Sequence, residues 1–271
     1  MSENGLVTSF VDLDDTLFSS LRRHVLGPDL EPAASLDNGD IISYSNSKQR
    51  FLRELLEDTG HIVPVTARNI AAYRRVIHTF PGPAILSHGA TILDDDGTIN
   101  LEWQEQIHTQ LNDTKDVLFD FMRRIESSRP YLDQQIRSWL VYDESLPVYA
   151  VIKDNARDEN RLQLAVRDIA GEWLNEHSEY GVHHNGNNVA ILAPSIRKEN
   201  AVAFLIQKIR SKVSDAIFIG VGDSISDEPF MRLCDFYLLL NGTQLSTFLA
   251  QAIRDSSAVD FLTSDIAENK P

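Results

Sequence analysis

Residues 10–16 read Phe-Val-Asp-Leu-Asp-Asp-Thr, an apolar run that leads into an acidic turn. The run extends back to residue 5 and predicts a buried strand over residues 5–12. Two carboxylates, Asp12 and Asp14, stand two residues apart at its carboxyl end. Ligand sites of parallel sheets form at that end of the strands, although an ordinary acidic turn after a strand has the same pattern. The motif therefore needs support from the rest of the chain.

Similar patterns recur along the chain and predict the fold class. Further short apolar runs, which predict buried strands, cover residues 62–65, 85–87 and 216–221. The stretches between them carry apolar residues three and four apart, and they predict helices over residues 47–58, 70–79 and 199–211. Alternating strands and helices predict a parallel sheet with helices on both faces, so we expect an α/β, Rossmann-like core.

The middle of the chain has a different pattern. Predicted helices cover residues 103–124 and 158–177, and predicted strands cover residues 136–142, 148–153 and 189–192. Consecutive strands flanked by helices predict an α+β module. We place this module at residues 90–190, inserted into an α/β domain formed by residues 1–89 and 191–271.

Polar residues also follow the other predicted strands. Thr66 comes directly after one strand, and a glycine-rich turn with Gly222, Asp223 and Asp227 follows another. Lys198 opens a predicted helix between them. Taken one at a time, such residues have ordinary structural explanations as a helix cap, a turn glycine or a solvated lysine. Their order along the chain makes the combination specific.

Together, these segments resemble the four motifs of the haloacid dehalogenase superfamily. The chain has D-x-D-x-T at residues 12–16, a strand-end threonine at Thr66, a lysine at Lys198 and G-D-x-x-x-D at residues 222–227. The predicted insert resembles the C2-type cap of the subfamily that includes sugar-phosphate phosphatases and phosphomannomutases. Residues 85–92 resemble the N-G-A stretch that opens this cap, with His88 where asparagine is usual.

The resemblance implies a phosphohydrolase in which Asp12 is the nucleophile and forms an aspartyl-phosphate intermediate. The dehalogenases of the superfamily lack a carboxylate two residues after the nucleophile, whereas its phosphatases and phosphomutases have one, here Asp14. A phosphate ester has a poor alkoxide leaving group, so an acid beside the nucleophile can protonate that oxygen and later deprotonate water. Clustered carboxylates favour protonation of one member, so we expect a protonated Asp14 as general acid.

A magnesium ion is expected beside the nucleophile. A carboxylate that attacks a phosphate dianion meets charge repulsion, which a divalent cation relieves. Magnesium prefers oxygen ligands, and the acidic residues of the motifs supply them. The expected ligands, which the resemblance also implies, are Asp12, the backbone carbonyl of Asp14, Asp223 and Asp227.

The phosphate itself is expected to contact three other residues. Thr66 can donate its hydroxyl and a backbone N–H at the start of a helix, where the helix dipole also favours an anion. Lys198 can neutralise developing charge. For Arg68, contact with the phosphate and pairing with a surface acid are equally compatible with the sequence.

Charge and composition exclude several classes of partner. The 271 residues include 40 acidic and 25 basic side chains, which gives a formal net charge of −15 and disfavours binding to nucleic acid or to an anionic membrane surface. A single cysteine, Cys234, excludes an internal disulfide, and the start MSENG lacks a secretory pattern. No apolar run approaches the roughly 20 residues that span a bilayer. We expect a soluble, cytoplasmic protein.

The favoured function is hydrolysis of a small phosphorylated metabolite, with sugar phosphates as the leading substrate class. Two alternatives stay open: a phosphomutase or phosphotransferase that uses the same intermediate on a sugar phosphate, and a noncatalytic binding protein with this fold. The insert is expected to exclude water and recognise the leaving group. Its candidate specificity residues, each more often an ordinary surface residue, are Arg137, Lys153, His183, His184 and Asn187. The sequence does not indicate an oligomeric state.

Overall fold

The computed structural model describes residues 6–24, 29–128, 135–143, 146–185 and 188–255. Its strands are β1 (Val7–Val11), β2 (Ser19–Ser20), β3 (Glu31–Ser35), β4 (Ile41–Ser45), β5 (His61–Pro64), β6 (Ala84–Leu86), β7 (Thr91–Leu93), β8 (Ile136–Asp143), β9 (Leu146–Asp154), β10 (Gly181–Asn185), β11 (Asn188–Leu192), β12 (Ile217–Gly222) and β13 (Phe236–Leu239). Its α-helices are α1 (Ser47–Thr59), α2 (Ile70–Tyr73), α3 (Leu101–Ser128), α4 (Glu159–Ala165), α5 (Gly171–Glu176), α6 (Lys198–Arg210), α7 (Glu228–Met231) and α8 (Gln244–Asp255).

The chain divides into two compact units. The first unit comprises Met1–Val65, Arg74–Pro81 and Ile206–Pro271, and the second comprises Thr66–Tyr73 and Gly82–Leu205. The division expected from the sequence pattern, with an insert at residues 90–190, stays a prediction.

The first unit contains the predicted parallel sheet. Its four strands lie in the order β13-β12-β1-β5, and all neighbouring pairs are parallel. Strand β1 is therefore hydrogen-bonded along both edges. Its last residue, Val11, pairs with Val221 on one side and Pro64 on the other, so the carboxyl ends of three strands lie level with one another. This sheet confirms the predicted α/β fold class.

Two predictions for the segments around this sheet are wrong. The helix expected over residues 70–79 is only the four residues of α2. Beyond it, Arg75 O accepts a hydrogen bond from Ser35 N at 3.1 Å, and Ile77 N donates to Ala33 O at 2.8 Å. These bonds place the segment alongside β3, so its backbone groups are unavailable for helical bonds.

The strand expected near residues 85–87 exists as β6, but it does not belong to the parallel sheet. It pairs antiparallel with β7 in a two-stranded sheet of the second unit. The short loop between the two strands allows only this antiparallel pairing, because a parallel connection needs a dozen or more residues.

The second unit also contains a four-stranded antiparallel sheet, with the strand order β10-β11-β9-β8. Helices cover one of its faces. Phe121 of α3 packs against Trp173 of α5, with ring centroids 4.7 Å apart, and both side chains are buried. The helix expected over residues 158–177 is interrupted, because α4 and α5 are separated by a π-helical turn over Val166–Ala170.

Helix α3 is the longest helix of the described residues, with 28 residues. Its buried side chains recur at spacings of three, four and seven, which gives one apolar stripe against the sheet; they are Trp103, Ile107, Leu111, Leu118, Phe121 and Ile125. Neither α3 nor any other helix in the described part of the chain combines the length and apolar content needed to cross a membrane.

Candidate active site

Three carboxylates meet at the carboxyl edge of the parallel sheet. One oxygen each from Asp12, Asp223 and Asp227 lies within 4.8 Å of the others, and we call this group the carboxylate cluster. Asp12 directly follows β1, and Asp223 directly follows β12, the neighbouring strand. Because the two strands are parallel and in register, their following residues come together. Asp12 is 5% exposed and Asp227 is fully buried, so their charges are held in a poorly solvated place.

The backbone around Asp12 is hydrogen-bonded on both sides. Its N–H donates to Val221 O at 2.9 Å, which extends the ladder with β12 by one residue. On the other side, Val65 N donates to Val11 O at 2.8 Å. The position of the predicted nucleophile is therefore set by the sheet and not by a free loop.

Asp227 reaches the cluster because residue 222 is a glycine. A Cβ at Gly222 would lie 2.5 Å from the Asp227 Cβ and 2.9 Å from its Oδ2, closer than such atoms approach. Asp227 Oδ2 accepts hydrogen bonds from Ser224 N at 3.0 Å and Ser224 Oγ at 2.7 Å. These bonds partly compensate for the burial of the carboxylate and fix its orientation.

The acidic turn after Asp12 closes tightly. Asp15 has a left-handed backbone, with φ of 67°, and its N–H donates to Phe18 O at 2.7 Å. Burial raises the pKa of Asp15, while the guanidinium of Arg23, 3.1 Å away, opposes this shift. Asp14 is half-buried, and its carboxylate is not one of the three in the cluster; its predicted metal contact is through the backbone carbonyl. Thr16 is buried, and its hydroxyl has no hydrogen-bond partner among the described residues.

The residues expected to bind phosphate belong to the second unit. Thr66 is 1% exposed and Lys198, the first residue of α6, is 7% exposed. Thr66 Oγ1 accepts a hydrogen bond from Arg68 N at 3.1 Å, so its hydroxyl hydrogen remains for another acceptor. Thr66 N donates to Ile85 O at 2.9 Å. A backbone donor to a ligand at this turn must therefore come from a residue other than Thr66.

A short loop, Ser87–Gly89, contacts the backbone of all three residues expected to bind phosphate, Thr66, Arg68 and Lys198. Ser87 N donates to Arg68 O at 2.9 Å, and His88 N donates to Thr66 O at 3.1 Å. All three loop residues have positive φ, at 51°, 58° and 98°. Two features favour glycine at residue 89. Its positive φ strains other residues, and a Cβ there would collide with the backbone of Arg197 and Lys198. The loop thus joins the turn at Thr66 to the start of α6.

The structure adds a ring cluster that sequence reasoning missed. The ring of His88 lies edge-on to His183 of β10, with centroids 4.8 Å apart, and to Tyr149 of β9, at 5.3 Å. Burial lowers the pKa of His88 well below its usual value, and the neighbouring His183 and Lys198 act in the same direction, so the ring is neutral. The only sequence signal at this position is that His88 stands where the family usually has asparagine. The sequence does not indicate which rings pack against it.

The donor atoms of the carboxylate cluster fit a hard divalent cation. All three side chains offer oxygen, and within the described residues no histidine or cysteine joins them. Small hard cations such as Mg²⁺ prefer such oxygen ligands, whereas zinc sites usually include nitrogen or sulfur. The chemistry of the cluster is therefore compatible with the predicted metal.

Comparison with solved structures identifies the fold. The sucrose-phosphatase of Synechocystis sp. PCC6803, solved with sucrose and phosphate, matches 92% of this chain and 97% of its own, with a TM-score of 0.52 and 14% identity. The C-terminal domain of the trehalose-6-phosphate phosphatase of C. albicans matches 85% of this chain and 73% of its own, with a TM-score of 0.51 and 14% identity. A protein of Eubacterium rectale matches over 90% and 91%, with a TM-score of 0.52 and 10% identity.

At these low sequence identities, the structural similarity establishes the fold of the chain and not its activity. The chain shares the α/β fold of these solved phosphatases, which confirms the predicted fold class. No protein-family model matches the sequence, and no curated protein matches it either. What the molecule does must therefore be argued from its own residues.

Proposed function

We propose that this chain is a Mg²⁺-dependent phosphatase that hydrolyses a small phosphate monoester through an aspartyl-phosphate on Asp12. The observation that carries the proposal is the carboxylate cluster, in which Asp12, Asp223 and Asp227 approach within 4.8 Å of one another. Three carboxylates held together with little solvent repel one another strongly. A bound cation removes this repulsion, which gives the arrangement a purpose that a structural turn would not have.

The cluster residues would hold Mg²⁺ with the carbonyl of Asp14. When bound, the ion screens the charges of the attacking carboxylate and the phosphate and polarises the phosphoryl oxygens. Asp12 attacks phosphorus through a carboxylate oxygen, and the bond from phosphorus to the ester oxygen breaks. Asp14 gives its proton to the departing oxygen, so the leaving group is released as a neutral alcohol. The product on the enzyme is the aspartyl-phosphate.

A water molecule completes the reaction. Asp14, now a carboxylate, removes a proton from water as the water oxygen attacks phosphorus. The bond from phosphorus to the Asp12 oxygen breaks, inorganic phosphate forms, and both side chains return to their starting states. The restraint of the Asp12 backbone by β12 supports this role, because a nucleophile gains from a fixed orientation.

Thr66, Arg68 and Lys198 bind the phosphoryl oxygens in this proposal. The Thr66 hydroxyl retains its hydrogen for donation, and Lys198 is a cation with only 7% exposure, which strengthens its attraction for an anion. A sugar phosphate is the favoured substrate class. Solved proteins with this fold include a sucrose-phosphatase and a trehalose-6-phosphate phosphatase, whose names state phosphorylated sugars as their substrates.

The proposal is tested by measuring phosphate release from p-nitrophenyl phosphate and a panel of sugar phosphates, with Mg²⁺ and with EDTA. We expect release that requires the metal and that falls about a thousandfold or more in Asp12→Asn, because the nucleophile is lost while the side-chain volume is kept. Trapping of ³²P on the wild-type protein, and not on Asp12→Asn, would identify the covalent intermediate.

Two outcomes would contradict the proposal. Inactivity of the folded, Mg²⁺-supplemented protein across the panel would favour a noncatalytic role. Isomerisation of a sugar phosphate without release of inorganic phosphate would instead identify a mutase. Circular dichroism of Asp12→Asn is the control that its fold is intact.

A further inference from the structure

One face of the second unit's antiparallel sheet carries Arg137 and Lys153, both in contact with solvent, whereas Tyr149 and Val151 on the same face are buried. Residues directly opposite in an antiparallel ladder share a face, and alternate residues along a strand do so as well. The register places Arg137, Lys153 and Asn188 side by side in one row across β8, β9 and β11. The next row on the same face includes Val151 and His183.

Two cations are adjacent in the first of these rows. Arg137 lies directly opposite Lys153, an arrangement that is destabilising because like charges repel. Arg137 lies over the ring of Trp139, 6.0 Å from its centroid, and neither cation forms an ion pair within the described residues. None of the described side chains on this face is a carboxylate. In a chain with a net charge of −15, two neighbouring cations without an acid call for an explanation.

Two side chains of the same face contact His88, in the loop that is bonded to the residues expected to bind phosphate. His183, one row from Lys153, contacts the ring of His88. His88 N donates to Thr66 O, and the following residue, Gly89, packs against the backbone of Lys198. Tyr149 also contacts His88 and lies on β9 four residues before Lys153, a span of about 13 Å at the usual rise per strand residue. The long side chains at residues 137 and 153 shorten the gap that a ligand must bridge.

We propose that Arg137 and Lys153 form a second anion-binding subsite, so that the preferred leaving group carries a carboxylate or a second phosphate in addition to the phosphate that is cleaved. The inference rests on the proposed phosphatase function, whose substrate class it narrows. A guanidinium can bind either anion through two parallel hydrogen bonds, and the adjacent ammonium supplies a further charge. An anion between the two cations also removes their mutual repulsion.

The test compares three substrates that share one sugar skeleton. Glucose 6-phosphate has a neutral leaving group, 6-phosphogluconate adds a carboxylate and glucose 1,6-bisphosphate adds a phosphate. We expect the wild-type protein to show a KM about tenfold or more lower for at least one of the two anionic substrates than for glucose 6-phosphate. In Lys153→Gln and Arg137→Gln this ratio should shrink about tenfold, and Lys153→Arg should restore most of it. The substrate whose ratio changes more identifies the anion.

Lys115→Gln is the matched control, because Lys115 is another lysine of the second unit and its ammonium contacts only Asn112, at 3.2 Å, among the described residues. The ratio should not change in this variant. Equal effects of Lys153→Gln on all three substrates, or no wild-type preference for an anionic one, would overturn the inference. Calorimetric binding of the three compounds gives the same ratio without turnover. If the protein binds the anionic compounds preferentially but releases no phosphate, the phosphatase proposal fails while the anion-binding subsite is supported.

Discussion

The carboxylate cluster and the pair of cations Arg137 and Lys153 differ in how they are built. Asp12 and Asp223 directly follow two neighbouring strands of one parallel sheet, and Asp227 joins them from the turn after β12 through its close approach to Gly222. Arg137 and Lys153 become neighbours only through the register of an antiparallel pair. A one-residue slip would send one of them to the opposite side. Both regions need pairing between distant strands, but the position of Asp12 and Asp223 after their strands can be predicted from local sequence, whereas the register that joins Arg137 to Lys153 cannot.

A large loss of activity is expected from Asp14→Asn, in the acidic turn beside the carboxylate cluster. If Asp14 is the general acid, turnover of an alkyl phosphate should fall about 10²- to 10⁴-fold, because amide nitrogen cannot protonate the departing oxygen. A p-nitrophenyl phosphate leaving group needs little protonation, so its turnover should fall much less. The measurement is kcat for each substrate under saturating Mg²⁺. Equal losses for both would remove Asp14 from the acid role.

A smaller effect is expected from Gly222→Ala, which tests whether the cluster depends on the close approach of Asp227. The new Cβ would lie 2.5 Å from the Asp227 Cβ, so one of the two must move. We expect a free energy of unfolding lower by about 1–3 kcal/mol, and kcat lower by about tenfold to a hundredfold from the displaced carboxylate. Urea titration and phosphate release measure the two effects.

The control for this substitution is Gly171→Ala. A Cβ at Gly171, the first residue of α5, meets no atom within 4 Å, and alanine is the better helix former. Its stability should be unchanged or slightly higher, with activity intact. If both variants lose activity alike, the loss at residue 222 is not due to the contact with Asp227.

The smallest effect on activity is expected at an ion pair that supports the antiparallel sheet. Arg161 donates to both oxygens of the fully buried Asp154 at the end of β9, with Nη2 2.9 Å from Oδ1. These hydrogen bonds hold the pKa of Asp154 below its usual value. Since the folded pKa is the lower one, the pair stabilises the protein at neutral pH, and this contribution is lost as the pH falls through the folded pKa.

Arg161→Ala should therefore lower the free energy of unfolding by about 2 kcal/mol at pH 7, and the difference should narrow below about pH 4. Chemical denaturation at several pH values gives this comparison. Arg123→Ala, which removes an exposed pair with Asp120, should change stability by less than about 1 kcal/mol at any of them. A deficit at residue 161 that does not depend on pH would mean that packing, and not the pair, is responsible.

Much of the fold followed from periodicity and motif order. The parallel sheet, helix α1 and the separate strand-rich middle were predicted because each has a local pattern of the right period. Asp12 and Asp223 were predicted because each follows a predicted strand, and Asp227 because it belongs to the acidic turn that resembles the G-D-x-x-x-D motif. Asn187, a candidate for the insert, lies outside the described residues.

What the sequence did not yield depends on contacts between distant segments. The segment after α2 has a helical apolar spacing, but its hydrogen bonds to β3 override that preference. His88 and His183 are 95 residues apart in sequence, and only the fold brings their rings to 4.8 Å. His184 has the same local composition as His183, yet it is exposed on the other face of β10. Composition cannot distinguish two such neighbours; strand orientation does.

The central position of β1 has a consequence for how this molecule can diversify. Because strands on both sides hold the backbone that leads to Asp12, we expect substitutions at the periphery to leave the orientation of its carboxylate unchanged. The backbone at Lys153 is also paired on both sides, but the side chains of Arg137 and Lys153 are not buried, so we expect their exchange to cost the fold little. Under the proposed function, substrate preference can therefore change through these two side chains while the proposed nucleophile keeps its position.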